Sequence, residues 1–340
     1  MRIAIIKPSA LGDIVHALPV LSALRGTYPQ SHISWVVNKS FEGLLQGHLD
    51  LDETIPFDRS NAGIRNSLRF GRELRQRNFD LVIDLQGLLR TGLMTAATGA
   101  KRKVGFANAR EGAKYFYNER VTVTDADRIH AVDRYWKIVE HLHAANQPKR
   151  FDLPIREDER NAVERDLAGL PRPWYAVAVG AKWITKRWPP HQFGQLLVRA
   201  QREFGGTAIF VGVGEDSPLS QVAIRSLNGP SQDWCGKTSL PKLAATLAIA
   251  DVMIANDTGP LHLAAALGTP CVAPYTCTKI ALHGPYTSPR GGIETTVKCA
   301  GSYLKSCPNG TICFQDLSAE KLWPPLAEVM QSWAVRSRSA

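Results

Sequence analysis

The sequence predicts an α/β fold of two consecutive, doubly wound parallel-sheet domains. Three observations carry that prediction. Short apolar runs alternate with stretches of helical period along the whole chain, the pattern of a parallel sheet wrapped on both faces. The alternation breaks once, where 146–154 change in composition and Leu170-Pro-Arg-Pro173 precedes a fresh apolar run. On each side of the break a strand feeds a small loop and then a helix start, and ligands of such sheets bind beyond the carboxyl ends of the strands. The expected architecture is therefore two Rossmann-like domains facing a cleft.

In the first domain, residues 2–6 form a β-type apolar run and Lys7-Pro-Ser-Ala-Leu-Gly12 a loop. Residues 13–24 carry Ile14, Leu18 and Leu21 at helical spacing, with Asp13 at the helix start. Pro19 predicts a kink or a lost bond in that helix. A second strand follows at 32–37, a basic helix at 68–77, and a buried strand at 79–85 that ends in Gln86-Gly87. The charged run 156–166 reads as helix, and the next domain opens with a strand at 174–180. A strand at 208–212, a helix at 240–249 and a strand at 252–255 come next, then Asn256-Asp-Thr-Gly259 turns into a helix stopped by Gly268. A strand at 271–274 and a last helical segment at 319–333 complete the order. The domains are placed at 1–165 and 166–318, with 319–340 a C-terminal helix that packs back on the N-terminal domain.

Bulk composition narrows the class. Among 340 residues, 44% are apolar and 21% charged, ordinary for a soluble protein. No run approaches the ~18 to 20 apolar residues of a membrane span, and the N-terminal run is too short for a signal peptide, so a cytoplasmic location is expected. All six cysteines lie in the C-terminal half and are expected to be reduced thiols. The net charge of +10 is uneven: 59–120 hold thirteen Lys or Arg against five Asp or Glu. That excess points to an anionic partner, or to a basic face that serves only solubility.

Several chemistries find no motif. There is no complete G-x-G-x-x-G after a strand; Gly212-Val-Gly214 lacks the third glycine. There is no P-loop and no D-x-D at a strand end. Cys299, Cys307 and Cys313 have seven and five residues between them and no C-x-x-C pair, a pattern that ordinary buried cysteines also give. What remains is a helix start after 252–255, whose amides and dipole favour an anion, and a lone carboxylate, Asp13. Lys186 and Arg187 are placed to compensate a diphosphate. Each feature has a plainer reading too: Asp257 or Thr258 as a helix cap, Asp13 as another, and the basic pair as solvated loop cations.

The chain resembles the ADP-heptose:lipopolysaccharide heptosyltransferase family, inverting GT-B glycosyltransferases. The likeness rests on residues 1–19, on Val82-Ile-Asp-Leu-Gln-Gly-Leu88, on His130-Ala-Val-Asp-Arg134, on Lys186-Arg-Trp-Pro189 and on Asn256-Asp-Thr-Gly-Pro-Leu-His262. Two of these blocks, 82–88 and 130–134, favour the heptosyltransferase I-like branch. The resemblance implies Asp13 as the general base. It implies Lys186, Glu215, Asp257, Thr258, Gly259 and His262 at the donor, with Asp216 an alternative to Glu215, and Ser9, Gly12, Arg59 and Arg120 at the acceptor. It further implies an ADP-heptose donor, a Kdo-lipid A type acceptor, no metal or other cofactor, no nucleic acid, and a peripheral place on the anionic inner face of the cytoplasmic membrane. One departure stands out. Where the family has a Gly-Pro-Thr-Asp-Pro type loop, this chain has Thr276-Cys-Thr-Lys-Ile280, which leaves open a different nucleotide sugar. The charge excess leaves open a non-catalytic binder of anionic glycolipid. The cysteine-bearing tail resembles another branch, but no fourth cysteine stands near Tyr303.

Overall fold

The computed structural model describes residues 1–60, 63–288 and 291–338, and the chain divides into two compact units, Met1–Pro154 and Ile155–Ala340. The first unit runs β1 (Arg2–Ile6), α1 (Leu11–Thr27), β2 (His32–Asn38), α2 (Glu42–Leu45), β3 (Glu53–Phe57), α3 (Ile64–Gln76), β4 (Leu81–Asp84), α4 (Leu89–Thr98), β5 (Arg102–Phe106), β6 (Glu119–Val121) and α5 (Ala131–His141). Its sheet is parallel throughout, in the order β3-β2-β1-β4-β5-β6.

The second unit runs α6 (Glu157–Asp166), β7 (Trp174–Ala178), α7 (Pro190–Phe204), β8 (Thr207–Phe210), α8 (Ser217–Ile224), β9 (Ser231–Asp233), α9 (Leu240–Ile249), β10 (Val252–Ala255), α10 (Gly259–Ala266), β11 (Cys271–Tyr275), α11 (Ile280–His283), β12 (Gly292–Glu294), α12 (Cys313–Asp316) and α13 (Ala319–Arg338). Its parallel sheet has the order β12-β11-β10-β7-β8-β9. Counted from its own first strand, this is again 3-2-1-4-5-6, the Rossmann order. In each unit the chain starts mid-sheet, builds to one edge, returns, and builds to the other. The point of return lies between β1 and β4 in one unit and between β7 and β10 in the other.

Sequence explains the central strands well. Arg2–Ile6, Leu81–Asp84, Trp174–Ala178 and Val252–Ala255 are buried almost throughout, as strands covered on both faces must be. Three expectations change. Helix α1 runs unbroken through Pro19, because burial against α5 outweighs one lost backbone bond. The division falls at Pro154, earlier than expected, because α6 packs on α9, with Lys242 Nζ 2.6 Å from Asp166 and Ser239 Oγ donating to Glu159 at 3.2 Å. The last helix, expected to pack on the first unit, belongs to the second unit and joins its core. Leu322, Leu326 and Met330 recur every four residues and, with Trp323, are buried there; each contributes about 1.5 to 3 kcal/mol. Arg199 of α7 closes that seam, 4.1 Å over the Trp323 ring and 2.8 Å from Glu320. Among the described residues, no helix is long and apolar enough to cross a membrane.

Candidate active site

The first unit's return point is built on the loop after β1. Lys7 continues the strand, its N–H donating to the Val36 carbonyl at 3.2 Å, and Asn38 N–H reaches the Pro8 carbonyl at 3.0 Å. The buried Trp35 donates its indole N–H to the Lys7 carbonyl at 3.1 Å. With the loop so pinned, α1 starts at Leu11 and Asp13 falls in its first turn. Ala10 is the cap residue and has no side-chain acceptor, so Asp13 reaches back and its Oδ2 accepts the Ala10 N–H at 3.1 Å, one half of a capping box. Oδ2 also lies 3.7 Å from the Lys7 ammonium, and the Tyr135 hydroxyl donates to Oδ1 at 3.5 Å. The cap and the chemical reading of Asp13 therefore coexist: its side chain is 41% exposed while Lys7 is 3% exposed. Burial lowers the Lys7 pKa, but Tyr135 and Asp13 outweigh it and the net shift is upward, so this lysine is a buried permanent cation.

Gly12 sits inside the first turn of α1. Ser9 and Arg59 line one cavity of about 190 Å³ with Asn38, Gln86 and Arg90. Arg120 is not among its lining residues. It lies on strand β6 with its guanidinium 5.9 Å from the Tyr115 ring. Asp84, at the end of β4, was missed by sequence reasoning. It is fully buried and accepts the N–H groups of Gln86 and Gly87 and the Tyr117 hydroxyl at 2.8, 3.0 and 2.6 Å. Burial pushes its carboxyl up despite these donors. Gly87 has φ +67°, a turn that favours glycine, and Asp84 holds that turn in place.

The second unit's return point is tied together by Asn256. Its Nδ2 donates to the Val179 carbonyl at 2.8 Å, and its Oδ1 accepts the Trp188 N–H at 3.0 Å. The first bond fixes the end of β7, and the second fixes the loop that carries Lys186. Asp257 follows, with a side chain only 4% exposed. The Lys186 ammonium lies 2.6 Å from Oδ2, Thr278 Oγ1 donates to Oδ2 at 2.7 Å, and His262 Nε2 is 3.3 Å from Oδ1. Burial alone would raise this carboxyl; His262 and Lys186 overcome it and hold it well below the usual carboxylate range.

Thr258 is the cap residue of α10, but its hydroxyl turns to the Asn256 carbonyl at 3.2 Å and makes no cap bond. The helix start at Gly259 is thus left without a side-chain cap, the condition under which a helix start receives an anion. Pro260 in its first turn keeps the start rigid. Arg187 bonds the Ala181 carbonyl through Nε at 2.6 Å, so Lys186 and not Arg187 joins Asp257.

Glu215 is exposed beyond the end of β8. Asp216 has a structural task instead: its carboxylate packs where a Cβ on Gly180 or Gly212 would stand, and it accepts the Val213 N–H at 3.1 Å. In the loop 276–280, Thr278 faces Asp257 while the exposed Lys279 lies along Gly301. Cys277 joins Cys299, Cys307 and Cys313 around one small cavity of about 30 Å³, yet among the described residues no group of three or more His, Cys, Asp or Glu could hold a metal ion.

The first unit's return point offers an exposed carboxylate beside a fixed cation, and the second unit's return point a cation and an uncapped helix start. Comparison with known proteins identifies the family. The model of glycosyltransferase family 9 (heptosyltransferase) matches residues 67–312. A lipopolysaccharide core heptosyltransferase of Haemophilus influenzae is 26% identical over 300 residues, covering 87% of this chain and 83% of its own. A family 9 glycosyl transferase structure from Veillonella parvula matches with TM-score 0.88 at 23% identity, over 97% of each chain. The E. coli heptosyltransferase WaaC, solved with ADP, matches with TM-score 0.76 at 23% identity, over 97% of this chain and 100% of its own. These structures share the pair of Rossmann-like units expected of a GT-B protein.

Proposed function

The chain belongs to glycosyltransferase family 9, the heptosyltransferases, and from that premise we propose that it moves L-glycero-D-manno-heptose from an ADP carrier to the Kdo/inner-core region of lipopolysaccharide. Family membership sets aside the non-catalytic binder. The observation that carries the donor half is the Lys186-Asp257-His262-Thr278 network beneath the uncapped start of α10. A diphosphate leaving group needs fixed positive charge and oriented amides, and this network supplies a lysine locked in place by a buried carboxylate. Thr258 and Gly259 frame the phosphates, and Glu215 takes a ribose hydroxyl. The fold-neighbour from E. coli was solved with ADP, which supports the nucleotide.

In the acceptor half, Asp13 takes the proton of the incoming hydroxyl as general base. That oxygen forms a bond to the anomeric carbon, the bond from that carbon to the β-phosphate oxygen breaks, and its electron pair leaves with ADP. Attack opposite the leaving group inverts the configuration. Lys7 and Tyr135 position the Asp13 carboxylate, while Ser9, Gly12, Arg59 and Arg120 serve the anionic acceptor. The acceptor is lipid-borne, so the enzyme works peripherally at the inner face of the cytoplasmic membrane.

Titration of the full chain with ADP-heptose and with UDP- and GDP-sugars tests the donor: ADP-heptose binds best, and tight binding of a UDP-sugar with none of ADP-heptose overturns the reading in favour of another nucleotide sugar. That second reading draws on Lys279, which stands where the family pattern has an acid.

A further inference from the structure

Resting on the reading of a lipid-borne acceptor, we infer that the open edge between α3 and α4 is a docking surface for an anionic lipid bilayer. The two helices close at one end, where a Cβ on Gly71 would stand 3.3 Å from that of Ala97. Toward their starts they leave a cavity of about 400 Å³, lined by Phe57, Phe70, Leu89, Leu93 and Met94 among others. Large aliphatic side chains stand at its mouth and beside it in water: Ile64 is 81% exposed, Leu68 59%, Leu93 52% and Leu89 44%. Such side chains clustered on one edge are uncommon on a protein that meets only water.

The charge around this edge names the occupant. Arg65, Arg69 and Arg72 project from the exposed surface of α3, and Arg59 and Arg90 line the adjoining cavity. The nearby acids are engaged: Glu53 and Glu73 both pair with Arg77, Asp58 accepts the Ser60 N–H at 2.9 Å, and Glu111 accepts the Leu89 N–H at 3.2 Å. An apolar edge set among arginines matches a surface with phosphate outside and acyl chains beneath. A soluble anionic partner would meet the arginines and leave the leucines wet; a neutral apolar partner would leave the arginines unused. The same edge adjoins the cavity that holds Ser9 and Arg59, so docking there would bring the acceptor side of the first unit to the membrane that carries the acceptor.

Co-sedimentation of the full chain with vesicles tests this. Vesicles of phosphatidylcholine with about 30% phosphatidylglycerol should bind it, and pure phosphatidylcholine should not. The double variant Leu89→Ser/Leu93→Ser should lower partitioning about tenfold or more, because two aliphatic side chains no longer leave water. Arg65→Gln/Arg69→Gln/Arg72→Gln should remove the preference for anionic vesicles. Both sets replace exposed side chains, and an unchanged melting temperature verifies the fold. The inference fails if the wild-type chain ignores anionic vesicles, binds neutral ones as well, or keeps its partitioning after Leu89→Ser/Leu93→Ser. Transfer to a deacylated acceptor in vesicle-free solution separates the two readings. Activity there with no vesicle binding sinks only the docking surface; vesicle binding with no transfer from any donor sinks only the catalytic reading.

Discussion

The two units share one strand order and furnish it with opposite chemistry. After β1 the carboxylate comes three residues into the helix, stays 41% exposed and touches its neighbours at 3.1 to 3.7 Å. After β10 the carboxylate comes before the helix, is 4% exposed and is held by Lys186 and Thr278 at 2.6 and 2.7 Å. An acid that must exchange a proton needs access and slack. An acid that must hold a lysine in place needs burial and tight partners. Topology sets where a loop can receive a ligand; a shift of a few residues in where the acid falls decides which task it has.

Asp13→Asn breaks this comparison most severely. With the base removed, transfer should fall by about 10² to 10⁴ while ADP affinity stays at the wild-type value. Calorimetric titration beside a transfer assay reads both, and retained transfer would mean that Asp13 only caps α1. Next comes Lys186→Ala, which leaves Asp257 buried without its cation. The loss should be about 2 to 3 kcal/mol of second-unit stability, toward the lower end because Lys186 keeps some solvent contact. ADP should bind about tenfold more weakly. Normal ADP affinity in this variant would move the phosphate site elsewhere.

Acid should divide the two return points. Asp257 has a depressed native pKa, so its stabilisation is complete above the ordinary carboxylate value of about 3.9 and is lost as pH falls toward the native value. Asp84 has a raised native pKa. Its cost is absent below about 3.9, builds as pH rises toward the native value, and is constant above it. Hydrogen exchange followed down to acid pH should show protection around the start of α10 falling before that around β4, and Asp257→Asn should flatten the difference. Equal losses at the two places would contradict the assignment of these shifts. The smallest change expected is from Trp188→Phe. It removes an indole N–H that donates to the Leu317 carbonyl at 2.6 Å and should cost about 1 to 2 kcal/mol, read by chemical denaturation.

Much of this was legible along the chain, and the limit is one of sequence distance. Val252–Ala255 and the turn after it announced themselves through a continuous apolar run and the stop at Gly268, whose φ of +82° suits glycine. Asp13 was legible as an acid at a helix start. Its surroundings were not: Tyr135 comes 122 residues later, and nothing in its own helix marks that contact. Thr278 was hidden in the same way, since the departure at Lys279 drew notice while the neighbouring threonine reaches Asp257. Edge strands escaped for a local reason. Glu53–Phe57 contains Pro56, and Ser231–Asp233 has no apolar residue; both sit at or next to sheet borders, where pairing on one side asks little of the side chains. Arg120, which the resemblance places at the acceptor, lies on β6 and does not line the Ser9–Arg59 cavity, a separation that sequence spacing does not reveal.

The break at Pro154 has a practical meaning for engineering. Each sheet draws all six strands from its own unit, so a junction at Pro154–Ile155 cuts no ladder and separates no pair within either return point. Chimeras that graft the second unit of a relative onto this first unit would carry over the counterparts of Lys186, Asp257 and the start of α10 together. If these hold the donor phosphates, as proposed above, donor choice is exchanged as one module, with Asp13 and the basic edge left as they are.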